Sequence, residues 1–169
     1  MTISVPKDWH VASNETMEHF KKVGEKAIAG DDKTLQAALE TAPSLNLISL
    51  FEKPPGTPMD FNPSFICLAE KVMHLPGIQK GSDYLLHAKK LLAANMSCKI
   101  KPEFRTVQVD GRSLDVMDVE LSVANLTVKQ QYCAMIEKGY AVSMIISFFN
   151  DTQKEQLDKI LASTSFKPR

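Results

Sequence analysis

The second half of the chain alternates between apolar and polar positions in two long stretches. One reads FRTVQVDGRSLDVMDVEL and contains Asp110-Gly111; the other reads TVKQQYCAMIEKGYAVSMIISFF and contains Lys138-Gly139. Side chains of a strand point alternately to its two faces, and a two-residue turn with a glycine joins antiparallel neighbours. The pattern therefore predicts two β-hairpins. In the third of these four strands, one face should carry Val128, Gln130, Tyr132, Ala134 and Ile136.

The segment from Ala141 to Phe149 is apolar at nearly every position. A membrane-spanning helix needs ~20 apolar residues, so this run is too short to cross a bilayer as a helix. A strand that is apolar on both faces is typical of the centre of a covered sheet. We therefore expect a central strand, with Ile145 and Ser147 on one face and Val142, Met144, Ile146 and Phe148 on the other.

Helical periodicity is present in three segments before the hairpins and in one after them. Residues 13–30, 31–42 and 81–95 repeat apolar positions every three or four residues, which predicts a helix in each. Ser13 or Asn14 is the expected N-cap of the first helix, and Ser82 that of the third. The sequence Thr152-Gln-Lys-Glu155 has the spacing of a capping box and predicts the start of a last helix.

Two further apolar runs, 45–53 and 64–72, predict strands on either side of a loop with four prolines in ten residues, 54–63. A short strand interrupted at Pro6 opens the chain. The predicted order is a strand, two helices, two strands, a helix, four strands and a helix. Tight hairpins imply antiparallel pairing, so we predict a single α+β domain over residues 1–169, with a central antiparallel sheet and helices packed on its faces.

Composition narrows the class of partner. The 169 residues include 20 basic and 20 acidic ones, so the formal net charge is zero and the basic excess of a nucleic-acid binder is missing. Cys67, Cys98 and Cys133 lack Cys-x-x-Cys spacing, and we interpret Cys67 and Cys133 as small buried apolar residues. The first residues do not have a signal-peptide pattern. A cytoplasmic protein is expected if the chain is complete, and a periplasmic or envelope-associated one if a signal was trimmed from it.

Candidate catalytic and metal-binding residues are few. The spacing of the four histidines is not that of metal ligands, so neither a metal nor a cofactor is predicted. Asp118 and Glu120 would share a strand face about 7 Å apart, which permits a carboxylate pair, although a solvated outer face of a hairpin is the better interpretation. An enzyme would have to assemble its site from distant residues such as His10, Asp118 and Glu120.

The two ends of the chain have distinctive patterns, ISVPKDWHV at the start and SMIISFF followed by TQKEQLDKILASTSF at the end. These stretches resemble the two ends of PsbP-like domains. This superfamily includes the PsbP protein of photosystem II, a nuclear Ran-binding protein and bacterial envelope lipoproteins. The middle of the chain, with DFNPSFICLAEKV, GSDYLLHAKKLL and GYAVSMIISF, looks most like the uncharacterised bacterial members. The resemblance implies a central antiparallel sheet between helices and a binding or accessory role in a bacterial envelope.

Three functions are compatible with these patterns. The first is a non-enzymatic binding or accessory protein, the second a cytosolic chaperone or adaptor that binds a partner helix, and the third an enzyme with a site built from distant residues. The expected partner is another protein. A loop stiffened by prolines and the adjoining start of the third helix form the expected contact surface. Its candidate residues are Phe61, Asn62, Ser82 and Tyr84.

Overall fold

The computed structural model describes residues 1–31, 33, 44–95, 98–123 and 126–166. Within these residues, eight strands form one antiparallel sheet and three helices pack against it. The predicted α+β class with an antiparallel sheet is confirmed. The helix expected over 31–42 lies almost wholly outside the described residues.

The sheet runs in the order β1-β2-β3-β8-β7-β6, and both β4 and β5 pair with the outer edge of β6. The apolar run forms β8, which lies between β3 and β7 and is therefore central, as predicted. The bounds of the strands are β1 His10–Val11, β2 Ser44–Phe51, β3 Ser64–Lys71, β4 Cys98–Ile100, β5 Arg105–Val109, β6 Arg112–Val123, β7 Leu126–Glu137 and β8 Tyr140–Phe148.

Both hairpins turn at the predicted residues. Asp110 and Gly111 have φ values of 47° and 74°, and Lys138 and Gly139 have φ values of 51° and 80°. Two consecutive positive φ angles are the geometry of a type I′ turn, whose twist matches that of the strands it joins. Strand β4 was not predicted, because three residues are too few to show an alternating pattern; its pairing with β6 is what makes it a strand.

The helices are α1 (Asn14–Ala29), α2 (Gly81–Asn95) and α3 (Asp151–Ala162). Helix α1 begins where predicted, because the Ser13 hydroxyl oxygen accepts a hydrogen bond from the backbone N–H of Thr16 at 3.2 Å.

Helix α3 begins earlier than the predicted capping box at Thr152. Its N-cap is Asn150, whose Oδ1 accepts from the backbone N–H of Gln153 at 2.9 Å. The Gln153 side chain accepts in turn from the N–H of Phe149 at 2.8 Å. Strand β8 ends at Phe148. Asn150 and Gln153 are the first polar residues after it with the spacing of a capping box, and they therefore cap the helix.

The two faces of the sheet carry separate cores, the α3 core and the α2 core, each named after the helix that packs on it. Helix α3 covers one face, which we call the α3 face; here Leu157 and Ile160 pack with Phe65, Met144 and Ile146, all fully or almost fully buried. Helices α1 and α2 cover the opposite face, the α2 face. There Leu85 and Leu92 of α2 pack with Met117, Val119, Leu121, Val128 and Ala134. A sheet covered on both sides explains why β8 is apolar throughout.

Helix α2 approaches the sheet at Gly81. A Cβ atom at this position would overlap the backbone carbonyl oxygen of Ala134 in β7. The next residue, Ser82, donates its backbone N–H to Asp115 Oδ2 in β6 at 2.6 Å. A residue without a side chain and a carboxylate on a neighbouring strand therefore fix the start of α2 on the sheet.

Candidate functional site

The proline-rich loop is closed by the Asn62 side chain. Its Oδ1 accepts from the backbone N–H of Lys53 at 3.0 Å, and its Nδ2 donates to the carbonyl oxygen of Lys53 at 2.8 Å. The carbonyl oxygen of Pro54 accepts from both the N–H and the hydroxyl of Thr57, at 3.1 and 2.7 Å. These bonds hold the base and the first turn of the loop in one shape, as the prolines suggested.

Phe61 and Tyr84 both lie against the α2 core and are half-buried. The Tyr84 hydroxyl donates to Glu70 Oε2 at 2.9 Å. Burial and the neighbouring Glu70 carboxylate both raise the pKa of Tyr84, so its hydroxyl stays protonated and serves as a donor. Each ring thus has an intramolecular packing role as well as some accessible surface.

Ser82 does not cap α2 as predicted, because the helix already begins at Gly81. Its backbone N–H is satisfied across the sheet by Asp115. The carboxylate of Asp83 accepts instead from the backbone N–H groups of Gln79 and Lys80, at 3.0 and 3.1 Å. A partner-binding role for Phe61, Asn62, Ser82 and Tyr84 stays a prediction.

The residues of the hypothetical distant catalytic site are far apart. His10 lies in β1 at one end of the sheet, and Asp118 and Glu120 lie in β6, five strand spacings away. At 4.7–4.9 Å per spacing, His10 and Asp118 are separated by roughly 24 Å. Asp118 is not on a solvated outer face either, because its side chain is only 16% exposed.

A cleft on the α3 face lies between the first turn of α3 and the edge strand β4. Its volume is about 360 Å³. We call it the charged cleft; strands β4, β6 and β7, the end of β8 and the start of α3 contribute its walls. It is lined by Lys99, Ile100, Lys101, Asp118, Val119, Glu120, Lys129, Gln130, Gln131, Phe148, Asp151 and Lys154.

Asp118 is the centre of a polar network at the base of the charged cleft. Its carboxylate accepts from Arg105 Nε at 3.2 Å and from Gln131 Nε2 at 2.9 Å, and Lys101 Nζ lies 3.6 Å away. Burial by itself would raise the pKa of Asp118, but the hydrogen bond and charge of Arg105, together with Lys101 and Gln131, outweigh burial and hold the pKa below its usual range. Asp118 is therefore an ionised anchor for its neighbours.

Lys154 lies in the wall of the cleft that helix α3 forms, and two contacts hold its side chain in place. Its ammonium group pairs with Asp158 one turn later and lies 5.8 Å from the ring centroid of Phe148. A cation at that distance over an aromatic ring is attracted by the ring's negative face. Lys154 is consequently held beside the cleft with a side chain that is 24% exposed.

A second concavity, the apolar groove, lies on the α2 face beside α1. It encloses about 200 Å³ and is lined mainly by Met17, Phe20, Ile66, Leu68 and Ile145, with polar residues at its rim. Phe20 packs on Phe51 with ring centroids 5.8 Å apart and is still 38% exposed.

Sequence reasoning missed the charged cleft, although it considered Asp118 and Glu120. The missing signal was the alternation Lys99-Ile100-Lys101, which places both lysines on one face once β4 is recognised as a strand. Lys129 and Lys154 come from distant parts of the chain, so nothing local in the sequence joins them to β4.

Comparison with solved structures places this fold among known ones. The chain is similar to LpqN of Mycobacterium tuberculosis, a protein involved in cell envelope biogenesis, with a TM-score of 0.53 and 14% identity over 99% of this chain and 83% of that one. It is also similar to a protein of unknown function from Pseudomonas aeruginosa, with a TM-score of 0.49 and 7% identity over 76% of this chain and 85% of that one. No family model and no curated protein matches the sequence. At this identity, LpqN shows the fold alone.

No helix in the described ranges combines the length and the apolar character needed to cross a bilayer.

Proposed function

We propose that this protein is a non-enzymatic binding protein that holds its partner at the charged cleft. The observation that carries the proposal is the ordered polar base of a cleft of about 360 Å³. There the ionised Asp118 carboxylate accepts from Gln131 in the lining and from Arg105 outside it, and pairs with the more exposed Lys101. Side chains that are already held in place lose little entropy when a partner binds.

The titratable groups favour binding over catalysis. A general base works best with a pKa near the operating pH, whereas Asp118 has a lowered pKa and is committed to Arg105. Burial raises the pKa of Cys67 and of Cys133 to about 12, which keeps both thiols protonated and poorly nucleophilic.

An accessory role in a bacterial envelope, and membership of the PsbP-like superfamily, are part of this proposal. The sequence resemblance at the two chain ends supports both. The involvement of LpqN in cell envelope biogenesis is compatible with them, and its fold extends over nearly the whole of this chain.

Affinity capture from a bacterial cell extract tests the proposal. We compare the wild-type protein with the double variant Lys99→Glu/Lys129→Glu, which reverses two cleft charges, and with Lys138→Glu, which reverses an exposed charge at the β7–β8 turn. Mass spectrometry of the retained proteins and small molecules should find at least one species held by the wild type and by Lys138→Glu and lost from the double variant. Equal retention by all three proteins contradicts a role for the cleft.

The apolar groove supports a second candidate function, an adaptor that holds a partner helix. Apolar grooves of this kind accept the apolar face of an amphipathic helix, and both Phe20 and Val23 of α1 are partly exposed, at 38% and 54%. In the same capture experiment, Phe20→Asp/Val23→Asp should then release the retained protein while the cleft variant keeps it. Loss of the partner from Phe61→Ala/Tyr84→Ala alone would instead favour the surface predicted from the sequence.

A further inference from the structure

The side-chain amide of Gln131 makes a hydrogen bond through its nitrogen, but its oxygen makes none with the residues that the structure describes. Its side chain is only 9% exposed, and its Nε2 donates to Asp118 Oδ1 at 2.9 Å. A carboxylate can only accept, so the nitrogen of the amide must face Asp118 and the oxygen must face the other way. The oxygen, Oε1, accepts no hydrogen bond from any residue that the structure describes.

This oxygen is open to the charged cleft. Among the described residues, no fully buried side-chain oxygen or nitrogen lacks a hydrogen-bond partner, so Gln131 Oε1 must keep some accessible surface. Gln131 lines the charged cleft. An acceptor that none of the described residues uses therefore lies at the base of the cleft, where the hydroxyl of a ligand can donate to it.

Four lysines and three carboxylates line the charged cleft, so its lining carries an excess of one positive charge. In the row across the sheet, Glu120 stands directly opposite Lys99 on one side and Lys129 on the other. In the next row, Asp118 is bound by both Arg105 and Lys101. Asp118 and Glu120 thus each have two cationic neighbours. Lys129 lies two residues from Gln131 on the same face of β7, so an anion beside Gln131 meets the positive potential of Lys129.

We infer that the charged cleft binds a small hydroxylated dianion, whose hydroxyl donates to Gln131 Oε1 and whose anionic groups lie towards Lys129 and Lys101. This inference rests on the proposed function and names the class of ligand. Malate and glycerol 3-phosphate represent the two sources of this chemistry, a carboxylate and a phosphate. The volume of the cleft falls within the range of ordinary small-molecule sites, about 300–1,000 Å³.

Calorimetric titration of the protein with matched ligands tests the inference. The probes are both enantiomers of malate, glycerol 3-phosphate and succinate. Succinate is malate without its hydroxyl. The wild type should bind at least one hydroxylated dianion, and one enantiomer of malate should bind roughly two- to tenfold more tightly than succinate if the carboxylate form is accepted. That ratio corresponds to one net hydrogen bond.

The variant Gln131→Met removes the acceptor and keeps the length of the side chain. It also removes the Nε2 donor to Asp118, so the decisive quantity is the ratio of the two affinities: the roughly two- to tenfold preference for the hydroxylated ligand over succinate should disappear. The matched control, Gln108→Met, alters an exposed glutamine in β5 outside the cleft and should change neither affinity. Circular dichroism melts establish that each variant is folded, and the wild-type comparison of malate with succinate needs no variant.

Binding of glycerol 3-phosphate without malate supports the inference and assigns the anion as a phosphate. No binding of any hydroxylated probe at millimolar concentration overturns it, and so does equal affinity for malate and succinate without binding of glycerol 3-phosphate. If the hydroxylated probes fail but the cleft charge reversal still releases a captured partner, the proposed function stands and only the ligand class is wrong.

Discussion

Ile146 shows at the scale of one residue what the apolar run in β8 contributes. Its side chain is fully buried in the α3 core, opposite Phe65 of β3 and Gln131 of β7. The sequence predicted both the face and the central position of this residue, because a strand that is apolar on both sides has no favourable place at an edge.

Ile146→Ala should lower the free energy of unfolding by about 2–5 kcal/mol, because it removes buried methyl groups and leaves a cavity that the surrounding strands cannot close. Urea melts of the variant and the wild type measure the loss. Lys138→Ala, at an exposed turn, is the control and should change stability by no more than about 0.5 kcal/mol. A loss below about 1 kcal/mol for Ile146→Ala would contradict the packing described here.

Asp118 gives a pH-dependent prediction at the same scale. Its folded-state pKa is lowered, so its contribution to stability is present above the ordinary aspartate pKa of about 3.9. That contribution shrinks as the pH falls below this value and is lost once the pH passes below the lowered pKa. Asp118→Asn should therefore be less stable than the wild type at pH 7 and should match it in strong acid.

Denaturant melts at a series of pH values check this expectation. Arg105, Lys101 and Gln131 hold the ionised form of Asp118, so the gap between wild type and variant should close only at acidic pH. Gln108→Asn is the control, because it changes an exposed side chain of the same sheet without removing a titratable group. A gap that stays constant from neutral to strongly acidic pH would show that the charge of Asp118 does not stabilise the fold.

At the scale of a secondary-structure element, the sequence predicts helix α2 but not how α2 attaches to the sheet. Its bounds follow from the apolar spacing over 81–95, which is a local property. Its position on the sheet depends on the close approach of Gly81 to the Ala134 carbonyl and on the hydrogen bond that Asp115 in β6 accepts. Both are contacts between distant parts of the chain. No pattern within the helix contains this information.

Gly81→Ala should destabilise the protein by about 1–3 kcal/mol, because the added methyl group overlaps the Ala134 carbonyl and forces α2 away from β7. Gly77→Ala is a matched control, since a methyl group at Gly77 meets no atom within 4 Å. Thermal melts measure the melting temperatures of both variants, and Gly81→Ala should have the lower one. Equal melting temperatures for the two variants would mean that α2 does not depend on this close approach.

At the scale of the whole molecule, the three cysteines report on global unfolding. Cys67 and Cys133 are 0% and 1% exposed in the α3 core, and burial raises the pKa of each to about 12. Cys98 in β4 is half-buried, and burial also raises its pKa. All three thiols are free, so the whole fold controls their reactivity.

Iodoacetamide at pH 8 should modify Cys98 first and leave Cys67 and Cys133 unmodified in the native protein, because a thiol reacts as its thiolate and these two are both protonated and inaccessible. Peptide mass spectrometry after timed labelling measures the three rates separately. In denaturant the three rates should become similar. Native-state labelling of Cys133 as fast as that of Cys98 would contradict the burial of Cys133 between the sheet and helix α3.

By itself the sequence determined the elements whose signals are local. Alternation predicted the hairpin strands, the glycine turns predicted where they reverse, and apolar spacing predicted α1 and α2, because each of these patterns lies within a few neighbouring residues. The α+β class follows from them. The predicted start of α3 was wrong by two residues, because Asn150–Gln153 and Thr152–Glu155 have the same capping spacing.

Only the tertiary structure decided which strands are neighbours and what their side chains meet. Strand β4 exists because β6 pairs with it, and Asp118 is an anchor because Arg105, Lys101 and Gln131 surround it. The charged cleft joins residues between 99 and 154 that no local pattern connects. The physical reason is that pairing and burial energies depend on distances in space, whereas periodicity reports only which way each side chain points.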